Sequence, residues 1–245
     1  YRIEENSKNQ NTKEIYLMNL SKFLNDSTTL RGSQLFQQDF NFFKNSSKFS
    51  VRFRYLQRKS LNQFSGGLER GFYKERSIRL RFRLVKEINN QTDFVNQIDN
   101  LLPSTISNRA RKIDRNDLST DFSYRPFNNL EVGFKIQTGR SIDSYPSTPA
   151  KVDMNSLLLR VNYSIANIGR IRVETERLEL TSTASISNIP FEITRGNVIG
   201  KNYFWRVFFD YRIGINIQTS LSYDARLLGR NKVIHTMHAE ARAFF

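Results

Sequence analysis

Apolar and polar residues alternate with a period of two through most of this chain. Between Tyr203 and Ile213 the odd positions Tyr203, Trp205, Val207, Phe209, Tyr211 and Ile213 are apolar or aromatic, with Arg206, Asp210 and Arg212 between them. Successive side chains of an extended strand leave opposite faces, so the segment predicts a strand with one apolar and one polar side. The next segment repeats the pattern, Ile215, Ile217, Thr219, Leu221 and Tyr223 against Asn216, Gln218, Ser220, Ser222 and Asp224. Between the two lies Ile213-Gly214-Ile215-Asn216, a tight hairpin in which Gly214 is free to take a positive φ. The same rhythm runs from Phe49 to Tyr55, Ile78 to Leu84, Leu130 to Ile136, Leu159 to Ile165 and Ile171 to Thr175.

The predicted strands run about 10–14 residues, well beyond the ~5–6 of an ordinary globular strand and close to the ~9–11 that a tilted strand needs to cross a bilayer. Connections alternate in length. Short turns are expected at Lys44 to Lys48, Arg125 to Asn129, Ala166 to Gly169 and Ile213 to Asn216, where Pro, Gly and Asn supply the dihedrals. Longer polar links are expected at Gln57 to Gly71, Gly139 to Lys151 and Ser182 to Gly200. Two regions fit the rhythm poorly. From Glu87 to Ser119 the alternation is weak, and Asn89 to Asp93 reads as a turn before a strand from about Thr92 to Leu101. Within the first thirty residues, Glu14 to Leu24 fits a strand or a short amphipathic helix. The expectation is all-β: an antiparallel transmembrane β-barrel of roughly twelve strands over residues 31–245, preceded by an N-terminal segment, 1–30, of either kind. Short turns would face the periplasm and longer loops the outside.

Composition narrows the alternatives. No run of about 18 apolar residues exists and mean hydropathy is −0.54, which excludes a helical membrane protein. A barrel is untouched by that test, because only one side of each strand meets lipid. With no Cys among 245 residues, a disulfide framework and thiolate chemistry are excluded. The first residue is Tyr1; the expectation is a processed chain, or the barrel end of a longer polypeptide.

The formal charge is +15, and most of it is concentrated. Between Lys48 and Lys86 twelve basic residues face only Glu69 and Glu75. Arg52 and Arg54, and Arg79, Arg81 and Arg83, recur at alternate positions and so share a face. With the apolar face on lipid, these arginines form a basic ladder in the lumen, since a cation on the lipid side costs about 2–4 kcal/mol at the midplane. Either Glu131, Glu174, Glu176, Asp210 and Glu240 neutralise the ladder across the lumen, or unpaired arginines give a positive field that favours anions. Loop basics such as Arg58, Lys59 and Arg70 are further candidates, for lipid phosphates at the outer surface. Tyr203, Trp205, Tyr211 and Tyr223 are candidates for an interfacial aromatic girdle.

Counting back from Phe245, one face carries Ala243, Ala241, Ala239, Met237, His235 and Val233. This segment resembles the C-terminal strand of bacterial outer-membrane β-barrel proteins, which ends in Phe after alternating apolar residues. Three of the alternate positions here are Ala, where that family carries bulkier side chains. The stretch from Gly200 to the terminus also resembles the C-terminal region of large bacterial surface proteins. The resemblance implies location in the bacterial outer membrane. It further implies recognition of Met237, Ala239, Ala241, Ala243 and Phe245 by the barrel-assembly machinery, and contact with outer-membrane lipid, lipopolysaccharide and other envelope proteins.

Catalytic signals are thin. His235 and His238 leave opposite faces of one strand and do not converge on a metal, and there is no P-loop, dinucleotide fingerprint or metal-ligand spacing. No catalytic residue, cofactor or metal is assigned. Two alternatives stay open. One is an outer-membrane barrel enzyme using His238 with Glu240; the other is a soluble basic all-β protein binding nucleic acid, although there arginines and aromatics should share a face. The functional expectation is a non-enzymatic pore, scaffold or membrane anchor with no nucleic-acid partner.

Overall fold

A computed structural model describes residues 2–7, 29–64, 67–103, 110–166, 168–183, 189–214, 216–229 and 231–243. Twelve strands form one antiparallel sheet in chain order: β1 (Arg2–Ser7), β2 (Thr29–Phe42), β3 (Phe49–Phe64), β4 (Gly67–Val85), β5 (Ile88–Pro103), β6 (Arg111–Phe127), β7 (Leu130–Asp143), β8 (Ala150–Ile165), β9 (Gly169–Ser182), β10 (Gly200–Ile213), β11 (Ile217–Leu228) and β12 (Ile234–Ala243). Each strand pairs only with its sequence neighbours, the meander of an up-and-down barrel wall. A single helical turn, α1 (Phe191–Thr194), lies in the β9–β10 link. The N-terminal segment is divided: β1 joins the same sheet, while Glu14 to Leu24 lies outside the described residues.

The register carries the same two faces across β3 to β11. Arg52 opposes Arg79, Arg79 opposes Asp93, and Asp93 opposes Ser119. Phe53 opposes Ile78, Ile78 opposes Phe94, and Phe94 opposes Leu118. Facing residues share a side of the sheet, so the first chain of pairs marks a polar face and the second an apolar face. Large side chains of the apolar face stand open: Phe40, Phe82, Leu118, Ile136, Leu159, Val173 and Trp205 are each 37–53% exposed. Fully buried apolar side chains are few, and Ile113, Ala150, Val152, Leu178, Leu180 and Ile193 form the one described cluster, on the polar face beside α1. Trp205 and Phe82 are therefore not gathered into a sandwich core.

Three expectations about the connections change. Asn89 to Asp93 is strand: the turn is at Lys86 and Glu87, and β5 starts at Ile88. Its alternation is weak because Asn90, Thr92, Asn96 and Asn100 occupy the apolar face. The expected link from Gln57 to Gly71 is mostly hairpin, since β3 and β4 run on to Phe64 and Gly67; extended pairing satisfies backbone groups even where both faces are polar. Likewise β7 continues to Asp143 and β8 begins at Ala150, which shortens the expected Gly139 to Lys151 link to residues 144–149. The hairpin at Gly214 forms as expected, with φ +70.

Candidate functional site: the ion-paired polar face

The polar face carries all five ladder arginines and all five acids expected opposite them. Among the described residues no ladder arginine forms an ion pair with one of these acids, although Arg81, Arg83 and Glu131 line one cleft. The described partners of the ladder sit on adjacent strands: Arg79 Nε donates to Asp93 Oδ1 at 2.5 Å, Arg81 to Gln91 Oε1 at 3.0 Å, Arg83 to Asn89 Oδ1 at 3.2 Å, and Arg52 to Asn41 Oδ1 at 3.0 Å. Arg54 lies 4.0 Å from Asp39. The expected acids find other groups. Arg125 donates to Glu131 at 2.5 Å, Arg206 approaches Glu174 at 3.5 Å, Ser156 donates to Glu176 at 2.8 Å, and Arg242 donates to Glu240 at 2.6 Å. Asp210 stands opposite Arg170. The correction has a simple cause: facing residues are only about 5 Å apart in a sheet, so neighbouring strands compete first for each guanidinium.

One pairing crosses an intervening strand. Arg160 of β8 reaches Asp121 of β6 at 3.5 Å by lying over Gly133 of β7. A Cβ at Gly133 would meet Arg160 Nη2 at 2.9 Å, so the absence of a side chain there is what leaves the path open.

At the end of the sheet bearing the shorter turns, the polar face opens into a cleft of about 580 Å³. Lys44, Lys48, Arg81, Arg83, Arg125 and Arg160 line it, against Asp121 and Glu131. The opposite end is covered. The β9–β10 link folds back across β9, β8 and β7, so that Ile193 of α1 enters the apolar cluster with Ile113, Val152 and Leu180. Arg111 donates to Glu192 at 3.1 Å, Arg115 donates to the Glu192 carbonyl at 2.6 Å, and Arg195 pairs with Asp117. Sequence reasoning missed this clasp. Its signal was present, because Leu178, Leu180 and Val152 are apolar at positions where the alternation calls for polar residues.

The girdle candidates all occupy the apolar face. Tyr203 and Trp205 stack at 6.1 Å near one end of β10, and Tyr211 stacks on Phe209 at 5.9 Å near the other. Tyr223 faces Val207 at mid-strand, and its hydroxyl is 2.8 Å from His235 Nδ1. Met237, Ala239, Ala241 and Ala243 also lie on the apolar face, while Phe245 lies outside the described residues. His238 stands on the polar face opposite Ser222, and Glu240 beside it is held by Arg242. Among the described residues no cluster of three metal-ligating side chains occurs. No described helix is long and apolar enough to cross a membrane.

The class defined by this geometry is an antiparallel up-and-down β protein with one exposed apolar face and one ion-paired polar face. No family model and no curated protein matches the chain. Similar solved structures include the β domain of the Bordetella autotransporter Brka, at 11% identity over 88% of this chain and 91% of that one, TM-score 0.41. OmpT, an outer membrane protein of Vibrio cholerae, aligns at 6% identity over 88% and 96%, TM-score 0.49. The NanC porin aligns at 9% identity over 86% and 99%, TM-score 0.42.

Proposed function

We propose that the chain is a bacterial outer-membrane β-barrel whose polar face encloses a narrow aqueous interior, and that it acts as a small pore favouring anions. The supporting observation is the segregation of faces: a wall of exposed aromatic and aliphatic side chains, broken by the polar residues of β5, on one side, and guanidinium and carboxylate pairs on the other. From Tyr203 to Ile213 the apolar wall spans ten residue steps, about 33 Å along a strand and about 25 Å once tilted, the height of an outer-membrane apolar band. Desolvation decides the orientation. Arginine pairs are stable beside water, whereas each cation forced into hydrocarbon costs about 2–4 kcal/mol.

The preference for anions follows from the cleft at the short-turn end, where six cations face two carboxylates. The clasp by α1 narrows the interior from the other end and favours low conductance; it equally supports a second reading, a plugged scaffold or anchor within the envelope. On both readings the partners are outer-membrane lipid with lipopolysaccharide, other envelope proteins, and the barrel-assembly machinery through β12. Planar-bilayer recording separates them. A reversal potential shifted toward chloride in a salt gradient supports the pore; cation selectivity contradicts the basic mouth, and absent conductance favours the anchor.

A further inference from the structure

We propose that Lys59, Arg70, Lys74 and Arg76 form a binding site for the phosphate group of a membrane lipid headgroup, on the apolar face at the end opposite the short turns. The proposal rests on the membrane-barrel reading. Arg58, which the sequence groups with Lys59 and Arg70, takes no part: it stands on the polar face opposite Tyr73, with its guanidinium 5.5 Å from that ring.

The register assembles the four cations. Lys59 faces Phe72, and Phe72 has Arg70 and Lys74 as its same-face neighbours along β4. Three cations therefore surround one aromatic ring, with diagonal positions about 7–8 Å apart. Arg76 faces Tyr55, and Lys74 Nζ lies 5.9 Å from the Tyr55 ring centroid. Below Tyr55 the same face continues with Phe53, Val51 and Phe49, so the charges begin where the apolar band ends.

Among the described residues no acid pairs with them; Asp114 of β6, on the same face opposite Ile98, accepts from Asn96 at 3.3 Å. Along β2 to β5 the apolar face contains no Asp or Glu, and its polar positions beside the cluster are amides such as Gln57, Asn96 and Asn100. Among the described residues, none of the four cations is in an ion pair. Elsewhere on this face the outcome differs: Arg140 pairs with Asp153 at 2.6 Å, Lys151 with Asp153 at 3.4 Å, and Arg177 with Glu179 at 2.9 Å. Four cations level with lipid headgroups and in no described ion pair attract an anion from outside the chain, and phosphate is the anion that the membrane supplies at that depth. Phe72 and Tyr55 offer apolar surface to the acyl chains below it.

The test uses the full chain folded into neutral detergent and examined by native mass spectrometry with phosphatidic acid, phosphatidylcholine and inorganic phosphate as probes. Wild-type protein is expected to retain phosphatidic acid over phosphatidylcholine by about tenfold or more. Replacing all four residues by Gln should abolish the preference, while Arg58→Gln should leave it intact. Equal retention by the four-site variant overturns the site. Displacement of the lipid by equimolar inorganic phosphate overturns the lipid as its source. Insertion into phosphatidylcholine vesicles, followed by heat-modifiable migration, tests the barrel reading separately: a chain that inserts but shows no headgroup preference refutes the site alone.

Discussion

At the scale of single residues, side-chain direction carries most of the physics. Val207 and Phe208 are adjacent in β10, yet Val207 stands on the apolar face with Phe53 and Leu159, and Phe208 on the polar face with Arg206. Val207→Arg should therefore lower the stability of the lipid-embedded protein by about 2–4 kcal/mol, measured as a lower urea midpoint, while Phe208→Arg should change it far less. Gly133 supports a second prediction. Gly133→Val displaces Arg160 from its path to Asp121 and should cost about 1–3 kcal/mol in the same measurement. The direction of each side chain is legible in sequence, because period two fixes the face. The partner of each charge is not. Arg79 finds Asp93 only through the β4–β5 register, and that register depends on a turn at Lys86 and Glu87 in a region where asparagines on the apolar face blur the alternation.

At the scale of elements, the long strands and their order follow from sequence, whereas the inward link does not. Alternation defines a strand through its own residues, but α1 is placed by groups three and four strands away: Asp117, Arg111 and Ile113 of β6. The visible trace is the pair Leu178 and Leu180, apolar on the face that is otherwise polar. The extended β3–β4 hairpin was also hidden, because polar residues on both faces resemble a loop when read singly and a strand only when paired. The clasp gives a third prediction. The double variant Glu192→Gln with Arg195→Gln removes charge-assisted hydrogen bonds of about 1.5–3 kcal/mol each. It should raise single-channel conductance and open the link to proteinase K, which needs no basic residue at the cleavage point; unchanged conductance would show that the link does not restrict the interior.

At the scale of the whole molecule, the protein is two unlike surfaces on one sheet, and function depends on which medium each surface meets. The cations of the short-turn cleft set the sign of the interior field. Arg81→Glu combined with Arg83→Glu, two cleft residues beyond the clasp, should abolish or invert the preference for anions in a bilayer salt gradient, while the folded protein still shows heat-modifiable migration. Trp205 is the single tryptophan, and it lies on the apolar face with 38% of its surface open. Its fluorescence reports the orientation of the entire sheet. In vesicles of brominated phosphatidylcholine, strong quenching of Trp205 with little effect of aqueous iodide is the expected result. Efficient iodide quenching with no response to the brominated lipid would place the aromatic face in water and contradict the account.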